Sequence, residues 1–83
     1  MVTVALTPVA QQQALKLPTR IRARLDHLIE RLAGWPRVSG AKPLRGNLAG
    51  RYRLRTGDYR IQFRVREDVV TIEKIGHRDR FYD

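Results

Sequence analysis

The stretch from Arg51 to Arg64, RYRLRTGDYRIQFR, alternates apolar and basic residues so regularly that few local structures accommodate it. Tyr52 and Leu54, then Tyr59, Ile61 and Phe63, recur at the period of two that sends alternate side chains to opposite faces of a sheet. Thr56-Gly57-Asp58 between the two runs supplies turn residues, so the stretch reads as a β-hairpin. Its second face is basic. Arg51, Arg53 and Arg55 lie on the first strand, and Arg60 and Arg64 flank Gln62 on the second. Like charges set opposite one another destabilise a ladder. Asp58 is the one acid within the stretch, so this crowding of guanidinium groups points to an anionic ligand.

The rest of the composition agrees. Seventeen Lys and Arg against eight Asp and Glu give a formal net charge of +9 over 83 residues. That balance in so short a chain favours phosphate or another polyanion as partner. The length fits one domain covering residues 1–83, close to the size at which a single core is only just sufficient. There is no cysteine to add a disulfide or a thiolate metal site. No apolar run approaches a membrane span, and MVTVAL lacks the basic start and long apolar centre of a signal peptide, so the expected location is the cytoplasm, with no membrane contact.

In chain order, residues 2–6 read as a first strand. Thr7 can cap a helix of about two turns that begins at Pro8 and ends near Lys16; its glutamine-rich middle makes it dependent on tertiary packing. Leu17-Pro18 then breaks the chain before a longer helix running to about Ala33. There Ile21, Leu25, Leu28, Ile29 and Leu32 form one apolar stripe, with charged residues opposite and His27 at the boundary. Gly34 is expected as a left-handed helix cap and Pro36 as a block to resumption, with Trp35 plugging the base of the core. Residues 37–50 read as a long loop, pinned to the core by Leu44 and Leu48, in which Lys42 and Arg45 extend the basic surface. A last strand runs from Val69 to Ile75. Val70 and Ile72 alternate but Ile75 breaks phase, which implies a bulge near Glu73-Lys74 or a strand buried on both faces. Tyr52 and Tyr59 could stack on bases, but they share the phase of Leu54 and Ile61, which favours the core; Phe81 is expected to pack. No His or Cys pair lies at metal-ligand spacing, and no metal or cofactor is assigned.

The run KPLRGNLAGRYRLRTGDYRIQFRV, with the last strand and GHRDRFY after it, resembles the RelE side of the RelE/ParE superfamily of bacterial toxins from toxin–antitoxin pairs. The preceding strand and two helices also fit, so the resemblance covers nearly the whole chain. It implies an α+β fold: a small antiparallel sheet of about four strands with the two N-terminal helices packed on one face. It also implies metal-independent cleavage of mRNA in the ribosomal A site, and a cognate antitoxin, acidic by charge complementarity, that binds the toxin in a heterodimer or larger oligomer. The site residues implied are Arg53, Arg55, Arg60, Arg78 and Tyr82. The best-known pattern has lysines where this chain has Arg53 and Arg55, and many relatives continue into a C-terminal helix beyond the point where this sequence ends. A ParE-like inhibitor of DNA gyrase, without nuclease activity, is the alternative.

Cleavage of RNA by its own 2′-OH needs a base for that hydroxyl, an acid for the leaving 5′ oxygen and positive charge around the phosphorane. Arginine supplies only the charge, because it stays protonated while its fork donates two bonds to phosphate oxygens. Arg53, Arg55, Arg60 and Arg78 are therefore read as clamps. Tyr82 and His77 are the candidate proton carriers, with Asp79 able to orient either one or to pair with a neighbouring Arg. Lys42, Arg45, Arg51 and Arg64 are read as RNA contacts.

Overall fold

The computed structural model describes residues 2–81. The elements are β1 (Thr3–Leu6), α1 (Pro8–Leu15), α2 (Thr19–Leu32), β2 (Lys42–Pro43), β3 (Arg51–Thr56), β4 (Tyr59–Arg66) and β5 (Val69–His77), with a short 3-10 turn at Gly46–Leu48. One sheet has the order β1-β5-β4-β3-β2. Its strand count is five, because the two-residue β2 pairs with β3 inside what reads as loop. It is also mixed. Strands β2 to β5 run antiparallel to their neighbours, whereas β1 pairs with β5 in parallel. The helices carry the chain away from β1, and the successive reversals that follow return β5 beside it in the same direction.

The Thr7 hydroxyl accepts from the Ala10 N–H at 3.1 Å, capping α1 as its position predicts. Helix α1 buries only Ala10, and it is held by the sheet: the Gln13 Oε1 accepts the Ile75 N–H at 2.7 Å. Helix α2 buries Ile21, Leu25, Leu28 and Leu32, the stripe its spacing dictates. Gly34 is not a left-handed cap. The helix unwinds instead through turns in which Gly34 and Trp35 donate to the Arg31 and Leu32 carbonyls, at 3.0 Å each.

The core lies between the helices and the Leu54, Ile61, Phe63, Val70, Ile72 and Ile75 face of the sheet. Phe63, fully buried, anchors an aromatic group with Tyr52 stacked at 5.6 Å and Trp35 edge-on at 5.5 Å. The phase break at Ile75 is a bulge: Phe63 faces Ile72 while Gln62 faces Lys74, leaving Glu73 as the extra residue. The bulge lets Ile72 and Ile75 both point into the core. Leu48 does not pin the loop to the core; it is exposed, and Val38 and Ala41 pack there instead.

Candidate functional site

The face of the sheet turned away from the helices carries three cross-strand rows. Arg51 lies opposite Arg64 and Arg64 opposite Thr71; Lys42, Arg53, Gln62 and Lys74 form the central row; Arg55, Arg60 and Gly76 form the third. Pleating therefore gathers Arg51, Arg53, Arg55, Arg60, Arg64 and Lys42 onto one surface, as their alternation in sequence predicts. The surrounding elements tune it. The residue left over by the bulge, Glu73, accepts from Arg51 at 2.7 Å and lies 4.0 Å from Arg64, so one end of the surface is neutralised. Asp58, the acid nearest in sequence, instead lies 3.7 Å from Arg78 at the hairpin turn.

The other end remains cationic. The Nε and Nη1 atoms of Arg60 are buried without a hydrogen-bond partner. Beside it, Gly76 leaves room for the ring of Phe81: a Cβ at Gly76 would lie 3.5 Å from that ring. Phe81 is buried as expected, but on this face and outside the main core cluster. The Lys74 ammonium, which bonds the Phe81 carbonyl, also sits 4.7 Å over the Phe81 ring. Lys74 and Glu73 were not singled out as site residues by the sequence pattern. The bulge that displaces them was visible as the broken phase of Ile75.

His77 does not join the arginines of this face. It lies opposite Tyr59 in the β4–β5 ladder, on the helix side of the sheet, with the two rings edge to face at 5.3 Å. Its Nδ1 accepts the Asp79 N–H at 3.2 Å and lies 3.5 Å from the Asp79 carboxylate. Tyr59, assigned to the core by phase, is only half-buried and lines a cleft with His77 and the start of α2 at Arg20, Ile21 and Arg24. Arg78 is exposed on the turn after β5, tied to the hairpin by its N–H to the Asp58 carbonyl at 2.7 Å. Arg45 is exposed in the loop. Tyr82 lies outside the described residues. No group of three or more His, Cys, Asp or Glu among the described residues is placed to hold a metal ion. None of their helices is long and apolar enough to cross a membrane.

A family model described as the ParE toxin of the type II toxin–antitoxin system parDE matches residues 4–82. The chain belongs to the RelE/ParE toxin superfamily. The toxin is 36% identical to Toxin RelG of Mycobacterium tuberculosis, over 96% of this chain and 94% of that protein. Its fold matches the RelBE2 toxin–antitoxin complex of the same organism with a TM-score of 0.82 at 35% identity, covering 93% of this chain and 98% of that one. The isolated Escherichia coli RelE toxin, at 22% identity, shares the fold with a TM-score of 0.79, over 93% of this chain and 84% of that one. The toxin is therefore of the type II toxin–antitoxin class, with the RelE-like α+β fold.

Proposed function

We propose that the toxin is an endoribonuclease that cuts mRNA in the ribosomal A site, without a metal, by attack of the RNA's own 2′-OH on the adjacent phosphorus. The observation that carries this reading is Arg60: a guanidinium with two buried nitrogens lacking a partner, in a row with Arg55 and beside the row of Arg53 and Lys74. Buried polar groups are normally satisfied, and an unsatisfied cation on a basic surface is matched to an anion.

In the proposed step the 2′ oxygen bonds to phosphorus, the P–O5′ bond breaks, and the products are a 2′,3′-cyclic phosphate and a 5′-OH. The hydroxyl proton goes to a base and the leaving oxygen takes one from an acid. Arg53, Arg55 and Arg60 stabilise the charge of the phosphorane, and Arg78 does so from the rim. The Arg residues at the lysine positions of the better-known pattern keep this charge and remove a proton carrier. Tyr82 is assigned as proton donor. Lys42, Lys74 and Glu73 are the other side chains of this face, among the described residues, whose charge changes on proton transfer.

Toxin RelG, 36% identical, and the complexes of RelE-type toxins with antitoxins support a cognate antitoxin as partner, acidic by complementarity to the net charge of +9. The reading requires the cytoplasm, where ribosomes are. The ParE name of the matching family keeps the second reading, inhibition of DNA gyrase through a protein surface. Mapping of 5′ ends in cellular mRNA after brief expression separates the two. New ends within translated codons support the nuclease; unchanged ends together with blocked supercoiling by purified gyrase support the inhibitor.

A further inference from the structure

Three clefts follow α2, the first between its start, the hairpin turn and His77, the other two between α2 and β3. The first, of about 360 Å³, is walled by Arg20, Arg24, Tyr59 and His77. The next, about 310 Å³, shares Arg24 and adds His27, Arg31 and Arg55. The third, about 230 Å³, shares Arg31 and Arg55 and ends on Lys42 and Arg53. The clefts are thus joined by common cations, and they lead from the central row of the basic face to the Tyr59–His77 pair on the helix side. Among the described residues, Arg20, Arg24, Arg31, Arg55 and Lys42 have no acidic partner, and Asp58 is the one acid lining any of the three clefts.

We infer that this line of clefts is a track for single-stranded RNA, distinct from the reacting phosphate's site at Arg60. Backbone phosphates lie along Arg20, Arg24 and Arg31, and a base packs on the Tyr59–His77 edge. The chemistry favours RNA over a protein partner. Cations strung at intervals beside a half-buried aromatic pair that lines a cleft match a phosphate backbone with a packed base. A docking peptide wants exposed apolar anchors, but the exposed large apolar side chains are Val9, Leu15, Leu48 and Val69, none of which lines the three clefts. The breadth of the track follows from the fold: β2 pairs with Tyr52 and Arg53, and the Leu44 N–H donates to the Arg51 carbonyl, so the β3 edge from Leu54 to Thr56 has no strand beside it. His77, on this account, is an RNA contact and not a proton carrier.

The inference deepens the proposed function by assigning the path of the RNA, and its test does not depend on cleavage. Binding of a short 2′-O-methyl oligoadenylate, which cannot be cut by 2′-OH attack, is followed by fluorescence anisotropy as KCl is raised. Each phosphate neutralised on a single strand contributes about 0.7 to the slope of log affinity against log salt, so Arg20→Gln/Arg24→Gln lowers that slope by about 1.4. Arg20→Gln alone, at an exposed position, lowers it by about 0.7 and serves if the double variant is misfolded by circular dichroism. In the wild type the His77 imidazole resonance shifts on RNA addition, and in the double variant this shift is lost. An unchanged slope in folded variants overturns the track. Unchanged RNA binding with weakened binding of the purified antitoxin overturns it too, in favour of a protein surface. Should the wild type fail to cleave on ribosomes while the slope still drops, the nuclease reading falls and the track stands.

Discussion

Replacing Arg60 by Met separates what this side chain does for the fold from what it does for the reaction. Arg60 lies on β4 between Arg55 and Gly76, with Nε and Nη1 buried and without a partner. A buried donor left unsatisfied costs about 1–3 kcal/mol, and the side chain as a whole is only half-buried, so the low end of that range applies. Methionine keeps most of the stem over the sheet and removes the unsatisfied donors. Arg60→Met is therefore expected to gain about 1 kcal/mol, a rise in Tm of roughly 4–8 °C for a domain of this size. The same change removes a preorganised donor to the phosphorane, and loss of one such donor slows reactions by about 10²–10³. The assays are thermal unfolding by circular dichroism and single-turnover cleavage of mRNA on purified ribosomes. A variant that melts several degrees lower shows that Arg60 is satisfied in the free protein. One that cleaves at the wild-type rate shows that its charge is not used.

Three further outcomes test other parts of the account. Glu73→Gln removes a carboxylate that accepts from Arg51 at 2.7 Å, with the pair mostly buried; it is expected to cost about 1.5–3 kcal/mol of stability in chemical denaturation while tightening RNA binding, since Arg51 and Arg64 are released. Tighter binding without destabilisation would mean that the pair is not part of the fold. Phe63→Ala removes the fully buried ring packed against Trp35 and Tyr52 and is expected to cost about 3–5 kcal/mol, enough to unfold much of a small domain in a thermal melt. Tyr82→Phe is expected to slow single-turnover cleavage and change the high-pH limb of its rate profile; an unaltered profile removes Tyr82 as proton donor.

Much of this structure is written in hydrophobic period. The alternation from Tyr52 to Phe63 determined which residues share a face, and so placed the arginines together. The stripe from Ile21 to Leu32 defined the helix face that covers the sheet, and the misplaced Ile75 announced the bulge. Period says nothing of direction or of edges, so the parallel pairing of β1 with β5 and the two-residue β2 were not readable. Nor does it distinguish a core position from a half-buried one in a cleft at the end of the sheet, so phase alone puts Tyr59 in the core. His77 stands next to Arg78 in sequence, yet β5 directs it to the helix side while Arg78 sits on the following turn. The ion pair of Arg51 with Glu73 spans 22 residues and depends on the bulge placing that carboxylate over the basic face. The closure of that face by Phe81 over Gly76 likewise depends on how the chain turns back after β5.

The central claim is that the basic face promotes attack by the RNA's own 2′-OH. It is tested most directly by programming purified ribosomes with two messages that differ only in one sugar, ribose or 2′-deoxyribose, on the 5′ side of the scissile phosphate. The account predicts that the toxin cuts the all-ribose message to give a 2′,3′-cyclic phosphate and a 5′-OH, and leaves the deoxy-substituted phosphate intact. Equal cleavage of the two messages, or a product bearing a 5′-phosphate, would contradict it.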